Sequence, residues 1–242
     1  MKSRLTFLML LLLPMLASCG GDNSPSSSTA TPAPAAAPAT TAPAPAAAPG
    51  QTGAPVAGTD YLELPQGAPY APAGGQVEVA EVFGYVCVHC ANFEPLLTAW
   101  KQTLPAGVRV TPVPAAFGGF WDTYAQAFYA AEQMGVREKT HQALFDALHV
   151  QRSLPPNASP EQIGAFYARF GVDAKEFVAT MQGPAVAASV AQARRFAERS
   201  RVESTPTLII DGKYLVPVDD RGYEHMLRTA GYLVAQQHAR LK

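Results

Sequence analysis

The stretch FGYVCVHCANFEP, residues 83–95, carries two cysteines three positions apart, in a chain of 242 residues that has only three. Such a pair is typical of half a metal site, of a cross-linked turn, or of a dithiol that is oxidised and reduced. The compartment in which the chain folds and the residues around the pair help to decide between these chemistries.

The N-terminal residues predict export from the cytoplasm. A short basic segment, MKSR, precedes an apolar run from Leu5 to Leu16 that is too short to span a bilayer comfortably. The sequence Leu16-Ala17-Ser18-Cys19 resembles the bacterial lipobox, in which the cysteine is acylated and becomes the new N-terminus. We therefore predict a lipoprotein signal peptide at residues 1–18 and a lipid anchor on Cys19. The alternative is a cleaved signal followed by an incidental cysteine.

Residues 19–58 are predicted to form a disordered tether. After Cys19 this segment is rich in Ala, Pro, Ser and Thr, with a single charge, Asp22, and no aromatic residue. It cannot bury enough apolar surface to fold, and its composition favours an extended polyproline conformation. About forty residues at ~3.1 Å each would reach on the order of 100 Å from the membrane. Residues 59–242 are about the size of one domain.

Charge and cysteine content narrow the function. The 18 basic residues, less the two in the signal, leave 16 against 19 acidic residues, so the exported chain has a net charge of about −3 and no feature of a nucleic-acid-binding protein. If Cys19 carries lipid, only Cys87 and Cys90 remain. A disulfide between them would close a loop too short to constrain the unfolded chain, so the pair is not a structural staple.

The folded part is predicted to alternate strands and helices. The predicted elements are a buried strand at Val77–Val86, a helix at about Asn92–Leu104, a strand at Val108–Pro114, a helical block at about 120–201, strands at Thr207–Ile210 and Lys213–Val218 joined by an Asp211-Gly212 turn, and a helix from about Asp220. This order predicts an α/β fold with a helical insertion.

The position of Cys87 between a strand and a helix suits redox chemistry. Its sulfur would lie among the unpaired N–H groups of the first helical turn, at the positive end of the helix dipole. Those groups, with positive charge or a hydrogen bond from His89, lower a cysteine pKa from ~8.5 to between ~3.5 and 7.5. Because a stabilised thiolate stabilises the reduced protein, the disulfide becomes a stronger oxidant.

Cofactor and metal chemistry fit the pair less well. Haem attachment needs a histidine directly after the second cysteine, where this chain has Ala91. A structural zinc site needs four ligands, and no second cysteine pair exists. His141 and His149 could be recruited, but they lie beside Leu144 and Leu148 on helical faces, as core or solvent-edge histidines do. We predict neither a metal nor a cofactor.

Two motifs together resemble the DsbA-type periplasmic thiol:disulfide oxidoreductases. They are EVFGYVCVHC at residues 81–90, followed by Phe93-Glu94, and VESTPTL at residues 202–208, followed by Asp211-Gly212-Lys213-Tyr214. The segment Tyr61–Leu64 resembles the family's N-terminal strand. The resemblance covers essentially all of residues 59–242, and implies a thioredoxin-like fold with an inserted helical domain.

The resemblance also implies roles for individual residues. Cys87 would be the attacking thiolate, Cys90 the less exposed resolving thiol, and Pro206 a cis-proline facing the disulfide. From the residues alone the Thr205–Pro206 bond would be expected to be trans, since only about 5–6% of such bonds are cis; the resemblance reverses that expectation. A cis bond would leave the backbone of Thr205 free to pair with an extended substrate strand. The dipeptide Val88-His89 would tune the redox poise, with Val88 in place of the family's most familiar proline.

Glu81 interrupts an otherwise apolar face of the predicted strand. A buried carboxylate has a raised pKa and could accept the proton of Cys90 through water; the alternative is an edge residue that reaches solvent. The family usually supplies a lysine partner on the next strand. Pro112 falls at that place, with Arg109 three residues earlier, so the sequence leaves open whether Glu81 has an ion-pair partner.

We predict a lipid-anchored, monomeric protein that donates its Cys87–Cys90 disulfide to reduced or unfolded secreted proteins. By resemblance, a quinone-linked membrane partner of the DsbB type would reoxidise it. Phe117, Phe120 and Trp121 would either line an apolar groove for unfolded chains or pack in the core. The expected location is the periplasm of a Gram-negative bacterium. Because Gly20 stands where inner-membrane lipoproteins carry aspartate, the outer membrane is the favoured anchor site.

Two other functions remain open on the sequence. The first is a disulfide isomerase or reductase of the same fold. Isomerases of this compartment usually have a dimerisation domain where this chain has a tether. The second is a non-catalytic module that holds a metal through Cys87 and Cys90, which would retain metal stoichiometrically after purification.

Overall fold

The strands and helices of residues 53–241, the part of the chain that this computed structural model describes, follow the predicted order. The elements are β1 Leu62–Glu63, β2 Val77–Phe83, α1 Val88–Lys101, β3 Val108–Pro114, α2 Phe120–Gln133, α3 Arg137–Phe145, a π-helical turn at Asp146–Val150, α4 Pro160–Ala168, α5 Ala174–Met181, α6 Pro184–Arg199, β4 Thr207–Ile210, β5 Tyr214–Pro217 and α7 Gly222–Ala239. The predicted signal peptide, Cys19 and most of the predicted tether lie outside the described residues. None of the described helices has the length and hydropathy of a membrane span.

In the described chain, five strands form one mixed sheet in the order β1-β5-β4-β2-β3. Strand β2 runs parallel to β3 and antiparallel to β4, and it is buried at every position. Strand β5 pairs with β4 as a hairpin, and β1 covers its other edge. The segment with the two cysteines therefore leaves the sheet from a strand that has neighbours on both sides.

The β4–β5 hairpin turns at Asp211-Gly212, as predicted. Both residues have a positive φ, 51° and 69°, and the N–H of Lys213 donates to the carbonyl of Ile210 at 2.9 Å. These are the features of a type I′ turn, whose twist matches that of the strands. Glycine is also required for space, because a Cβ at residue 212 would lie 2.1 Å from the backbone carbon of Ala68.

The two faces of the sheet build two apolar cores. Val79 and Leu208 pack with α1 and α7, whereas Ala80 and Ile209, their neighbours along β2 and β4, pack with the helices of the insertion. This alternation is the period of two expected for strands that are covered on both sides. The α/β fold with a helical insertion is confirmed.

The junction between β2 and α1 is shorter than predicted. Strand β2 ends at Phe83 rather than Val86, and the N–H of Cys87 donates to the carbonyl of Gly84 at 3.0 Å, which closes a turn. Phe83 and Tyr85 leave the alternation of the strand and pack with the insertion, whereas Val79 packs on the other side of the sheet. Helix α1 begins at Val88, directly after Cys87, and continues through Pro95.

The insertion consists of helices α2 to α6 and the π-helical turn, between β3 and β4. Helix α4 begins with a capping box: Ser159 accepts from the N–H of Gln162, the Gln162 side chain accepts from the N–H of Ser159, and Pro160 takes the first helical position. Before β1, within the stretch predicted as tether, the N–H of Val56 donates to Asp60 at 2.6 Å.

Candidate active site

Cys87 occupies the N-cap of helix α1. Its backbone is extended, with φ −88° and ψ 113°, and its sulfur accepts a hydrogen bond from the N–H of Cys90 at 3.3 Å. The N-cap is where side chains usually satisfy the free N–H groups of the first turn. Here a thiol takes that position, so any negative charge on the sulfur lies at the positive end of the helix.

The two thiols, both free, have opposite environments. Cys87 is half-buried, whereas Cys90 is fully buried. A hydrogen bond from the Cys90 thiol, and then hydrogen bonds from Thr205 and from the N–H groups of Cys90 and His89, outweigh burial and lower the pKa of Cys87 to about 5. Burial, followed by the neighbouring Cys87 sulfur, raises the pKa of Cys90 far above that of an ordinary thiol. One sulfur is thus an accessible, stabilised thiolate and the other a buried thiol.

The loop before β4 faces this pair. The sulfur of Cys87 lies 3.5 Å from the carbonyl oxygen of Thr205, and the Thr205–Pro206 peptide bond is cis, as the resemblance implied. Thr207, the first residue of β4, is buried and its hydroxyl donates to the carbonyl of Ser204. The structure therefore brings the two sequence motifs together at one end of the sheet.

Glu81 is a buried carboxyl without a partner. It is 1% exposed, and neither carboxylate oxygen has a hydrogen bond among the described residues. Burial, and then the charge of Glu94, raise the pKa of Glu81 to about 8 against the opposing charge of Lys101. The alternative of a solvent-facing glutamate is excluded. Pro112 lies opposite Glu81 in the register of β2 and β3, so no cation reaches it from that strand.

Glu78, which sequence reasoning did not single out, is the second buried carboxylate of β2. It accepts hydrogen bonds from the N–H of Tyr70 at 2.6 Å and the hydroxyl of Thr111 at 2.9 Å, and it pairs with Arg109 at 3.0 Å. Arg109, the one cation predicted near Glu81 on β3, is therefore engaged by Glu78. Because Glu78 takes an ordinary polar position near the start of β2, its burial had no clear signal in the sequence.

His141 and His149, predicted to be core or solvent-edge histidines, both contact Tyr85. Nδ1 of His141 lies 2.7 Å from the Tyr85 hydroxyl, and Nε2 of His149 lies 2.7 Å from the Tyr85 carbonyl oxygen. His141 also places Nε2 3.5 Å from a carboxylate oxygen of Glu94, on helix α1. This link between the insertion and the cysteine helix was not predicted.

The dipeptide between the cysteines is exposed. Val88 is 49% exposed, and the carbonyl of His89 accepts a hydrogen bond from the hydroxyl of Tyr223, on α7, at 3.0 Å. Burial, and then the charges of Cys87 and Cys90, raise the pKa of Tyr223, so this phenol is also a neighbour of both sulfurs. Tyr223 was not predicted as a site residue.

An aromatic surface lies beside the cysteine loop. Phe117 and Phe120 are 44% and 45% exposed, so of the two alternatives, packing in the core is wrong for both. They lie in the β3–α2 connection and at the start of α2, where the chain has already left the sheet. Trp121 packs on Phe117 with ring centroids 5.2 Å apart and touches Gly84, where a Cβ would lie 2.2 Å from the indole.

The described part of the chain offers few ligands to a metal ion. Within residues 53–241 no three His, Cys, Asp or Glu side chains cluster at ligand distance. Cys87 and Cys90 alone supply two sulfurs, fewer than the three or four protein ligands of zinc sites.

Comparison with known proteins gives one consistent family. A model described as a DSBA-like thioredoxin domain matches residues 109–223. The chain is 36% identical over 187 residues to the thiol:disulfide interchange protein DsbA of Pseudomonas aeruginosa, a match that covers 77% of this chain and 87% of the relative. It is 36% identical over 183 residues to the protein of the same name from Azotobacter vinelandii, covering 75% and 84%.

Similar solved structures belong to the same family. The oxidoreductase DsbA from Xylella fastidiosa matches with a TM-score of 0.74 and 44% identity, over 76% of this chain and 98% of that one. The DsbA of Pseudomonas aeruginosa matches with a TM-score of 0.68 and 35% identity, over 75% and 93%.

Proposed function

This chain belongs to the family of DsbA-like thioredoxin-domain proteins and is a thiol:disulfide oxidoreductase, and from that premise we propose that it introduces disulfide bonds into reduced or unfolded secreted proteins. The observation that carries the proposal is the contrast between the two sulfurs. A stabilised thiolate at Cys87 beside a buried thiol at Cys90 favours the reduced form of the enzyme. The disulfide form is then a good electron acceptor.

The reaction proceeds through a mixed disulfide. A substrate thiolate attacks the Cys87 sulfur, the bond to Cys90 breaks, and Cys90 leaves with the electron pair and takes up a proton. A second substrate thiolate attacks the substrate sulfur of the mixed disulfide, and Cys87 leaves as the thiolate. The substrate gains a disulfide and the enzyme gains two electrons, which a DsbB-type membrane partner linked to quinones would remove.

The order of attack follows from exposure. Cys87 is open to a protein substrate, whereas Cys90 is fully buried and can react only with its neighbour. The N–H groups of His89 and Cys90 hold the leaving Cys87 thiolate. In this proposal the dipeptide Val88-His89 sets how strongly that thiolate is stabilised.

Substrate binding would use backbone and apolar contacts. The carbonyl of Thr205, beside the cis-proline Pro206 and 3.5 Å from Cys87, lies where an extended chain could pair with it. The exposed Phe117 and Phe120 provide apolar surface for an unfolded chain. Both kinds of contact tolerate many sequences, as a general oxidant requires.

Glu81 is proposed to exchange the proton of Cys90. With its pKa at about 8 it carries a proton at neutral pH, which it can give to Cys90 through water as the disulfide opens, and take back when the disulfide reforms. A carboxyl with this environment changes the rate of the Cys90 step more than the equilibrium between the two redox forms.

The proposed setting is the periplasm of a Gram-negative bacterium. The signal at residues 1–18, acylation of Cys19 and the tether that follows would hold a monomeric enzyme to a membrane, with the outer membrane favoured. The length of the tether would let the domain reach substrates at a distance from the lipid.

The deciding experiment combines two measurements on the purified protein. Thiolate absorbance against pH should give a Cys87 midpoint near 5, and equilibration with a glutathione buffer should leave most of the enzyme reduced under mildly oxidising conditions. The oxidised enzyme should also form disulfides in a reduced secreted protein, and a Cys87→Ser variant should not. An ordinary thiol midpoint, or a disulfide more stable than the dithiol in that buffer, would exclude an oxidase. Faster reshuffling of scrambled disulfides than oxidation would favour the isomerase.

A further inference from the structure

A buried chain of polar side chains joins the insertion to the active-site helix. His141, on α3, is 9% exposed, with Nδ1 2.7 Å from the hydroxyl of Tyr85 and Nε2 3.5 Å from Oε2 of Glu94. Glu94, on α1, is 4% exposed; its other oxygen accepts from the Thr98 hydroxyl at 3.2 Å and lies 3.7 Å from Nζ of Lys101. The imidazole thus faces a phenol on one side and a carboxylate on the other.

Glu94 has a second acidic neighbour, Glu81. The two are close enough for the charge of Glu94 to help raise the pKa of Glu81. Two buried carboxyl groups that interact in this way do not both ionise readily, so one carries the charge and the other the proton. Their surroundings decide which: Glu94 has His141, Lys101 and a hydroxyl, whereas Glu81 has no hydrogen-bond partner among the described residues and faces Pro112.

We propose that His141 is the counter-charge of this carboxyl pair, supplied by the insertion in place of a cation from strand β3. By holding the negative charge on Glu94, His141 keeps the shared proton on Glu81. His141 is therefore a positioning residue for the reaction, since it acts on the proton of Cys90 through two other side chains. The inference rests on the proposed role of Glu81.

The two polar contacts of His141 suit this task. With Nε2–H turned to the carboxylate, Nδ1 can accept from the Tyr85 hydroxyl when the ring is neutral, or donate to the same oxygen when the ring is protonated. The imidazole can therefore gain or lose its charge without losing a partner. The rings of Phe83 and Phe145, each 5.2–5.3 Å from the imidazole centroid, pack against its sides.

Other charged groups near His141 do not replace it. Glu132, on α2, is close enough for His141 to lower its pKa, but burial still leaves that pKa raised, and Arg137 of α3 is its ion-pair partner at 3.2 Å. Burial alone would also raise the pKa of Glu94; the polar contact and charge of His141, then Lys101 and Thr98, instead hold it below the ordinary value. Of these, His141 has the largest effect.

The test is a carboxyl titration of the purified, reduced protein. In protein labelled with ¹³C at the glutamate carboxyl, the signals of Glu81 and Glu94 are assigned with Glu81→Gln and Glu94→Gln variants. In His141→Gln, the Glu94 midpoint should rise by about one pH unit, because this carboxylate loses the neighbour that most lowers its pKa. In Glu94→Gln, the Glu81 midpoint should fall by about one pH unit, because the charge that opposes ionisation of Glu81 is gone. His149→Gln, which removes the other histidine on Tyr85, should leave both midpoints in place.

A folded His141→Gln protein with the Glu94 midpoint at its original value overturns the proposal, and so does an unchanged Glu81 midpoint in Glu94→Gln. If His141→Gln does not fold, the smaller substitution His141→Asn decides instead, through the same Glu94 midpoint. An unchanged Glu94 midpoint in that variant would equally exclude the pairing. Neither readout requires substrate. A protein that fails to oxidise substrates but shows the carboxyl shifts would refute the proposed function and retain this inference.

Discussion

Glu81 of strand β2 lies opposite Pro112 of strand β3 in register, and its buried carboxylate oxygens have no hydrogen-bond partner within the described residues. Three residues earlier in the same strand, Glu78 is equally buried but bound by Arg109, Thr111 and backbone N–H groups. One strand thus contains a carboxylate with several hydrogen-bond and ion-pair partners and a carboxyl that burial keeps protonated. The two glutamates make a matched pair for mutation.

Replacing Glu81 with Gln should remove a loss of stability that the unmodified protein undergoes as pH rises from 4.5 to about 8. An acid whose folded pKa, about 8 here, exceeds its ordinary value of 4.5 contributes stability that is fully present below 4.5 and is lost as pH rises through 8. The difference in free energy of unfolding between Glu81→Gln and the unmodified protein should therefore grow in favour of the variant from pH 6 to ~9, as urea denaturation would measure. The same variant should slow the Cys90 step and leave the redox equilibrium nearly intact.

Replacing Glu78 with Gln should instead destabilise the protein, by an amount that does not change with pH. The change weakens the ion pair with Arg109 and should cost about 1–3 kcal/mol at every pH in that range. If Glu81→Gln were destabilising with the same flat pH dependence, Glu81 would be an ionised, paired residue and the proton-exchange role would fail.

Removing the thiol of Cys90 should raise the pKa of Cys87. The Cys90 thiol is the largest cause of the lowered value of about 5. In Cys90→Ala only the backbone donors and Thr205 remain, so the thiolate midpoint should rise by about one pH unit or more. Cys90→Ser keeps an O–H donor at the same place and should titrate closer to the unmodified protein. Equal midpoints in the two variants would mean that the helix N-terminus alone sets the pKa.

The reduced protein should gain stability relative to the oxidised protein as pH rises. Cys87 titrates only in the reduced form, and its folded pKa of about 5 is below the ordinary value of 9.0. Such a group contributes stability that is present above 9.0 and is lost as pH falls through 5. The difference in Tm between the two forms should widen over this interval, and reduced Cys87→Ser should show no such trend.

A methyl group at Gly84 should displace Trp121. The added Cβ would lie 2.2 Å from the indole, so Gly84→Ala should cost about 1–3 kcal/mol by overpacking. In a Trp121→Leu background the clash is absent, and the second substitution should cost less. A double-mutant cycle by urea denaturation gives the coupling, and additive costs would place the strain elsewhere.

Local signals in the sequence were sufficient to predict most of the fold. The hairpin at Asp211-Gly212 and the start of α4 at Ser159 depend on residues within one turn of each other. The strand at Val108–Pro114 has the predicted bounds, because its composition alone marks it despite two prolines. For the same reason, the residues on either side of the two cysteines were enough to predict their position at a strand–helix junction.

The missed features depend on contacts between distant parts of the chain. Glu78 is buried because Tyr70 and Arg109 reach it from other segments, and the link from Glu94 to His141 exists only once the insertion packs on α1. Neither arrangement has a periodicity or a short motif. The exposure of Phe117 likewise reflects where the connection leaves the sheet rather than the residue type.

The position of the insertion also fixes the order in which the site is assembled. Thr205 lies 118 residues after Cys87, and the five helices between β3 and β4 separate them. Because a chain is synthesised from its N-terminus, both thiols emerge while the residue that will face them has yet to be made. The nascent polypeptide therefore passes through a stage in which it carries the CxxC motif without Thr205 beside it, and a product truncated within the insertion would never acquire that neighbour.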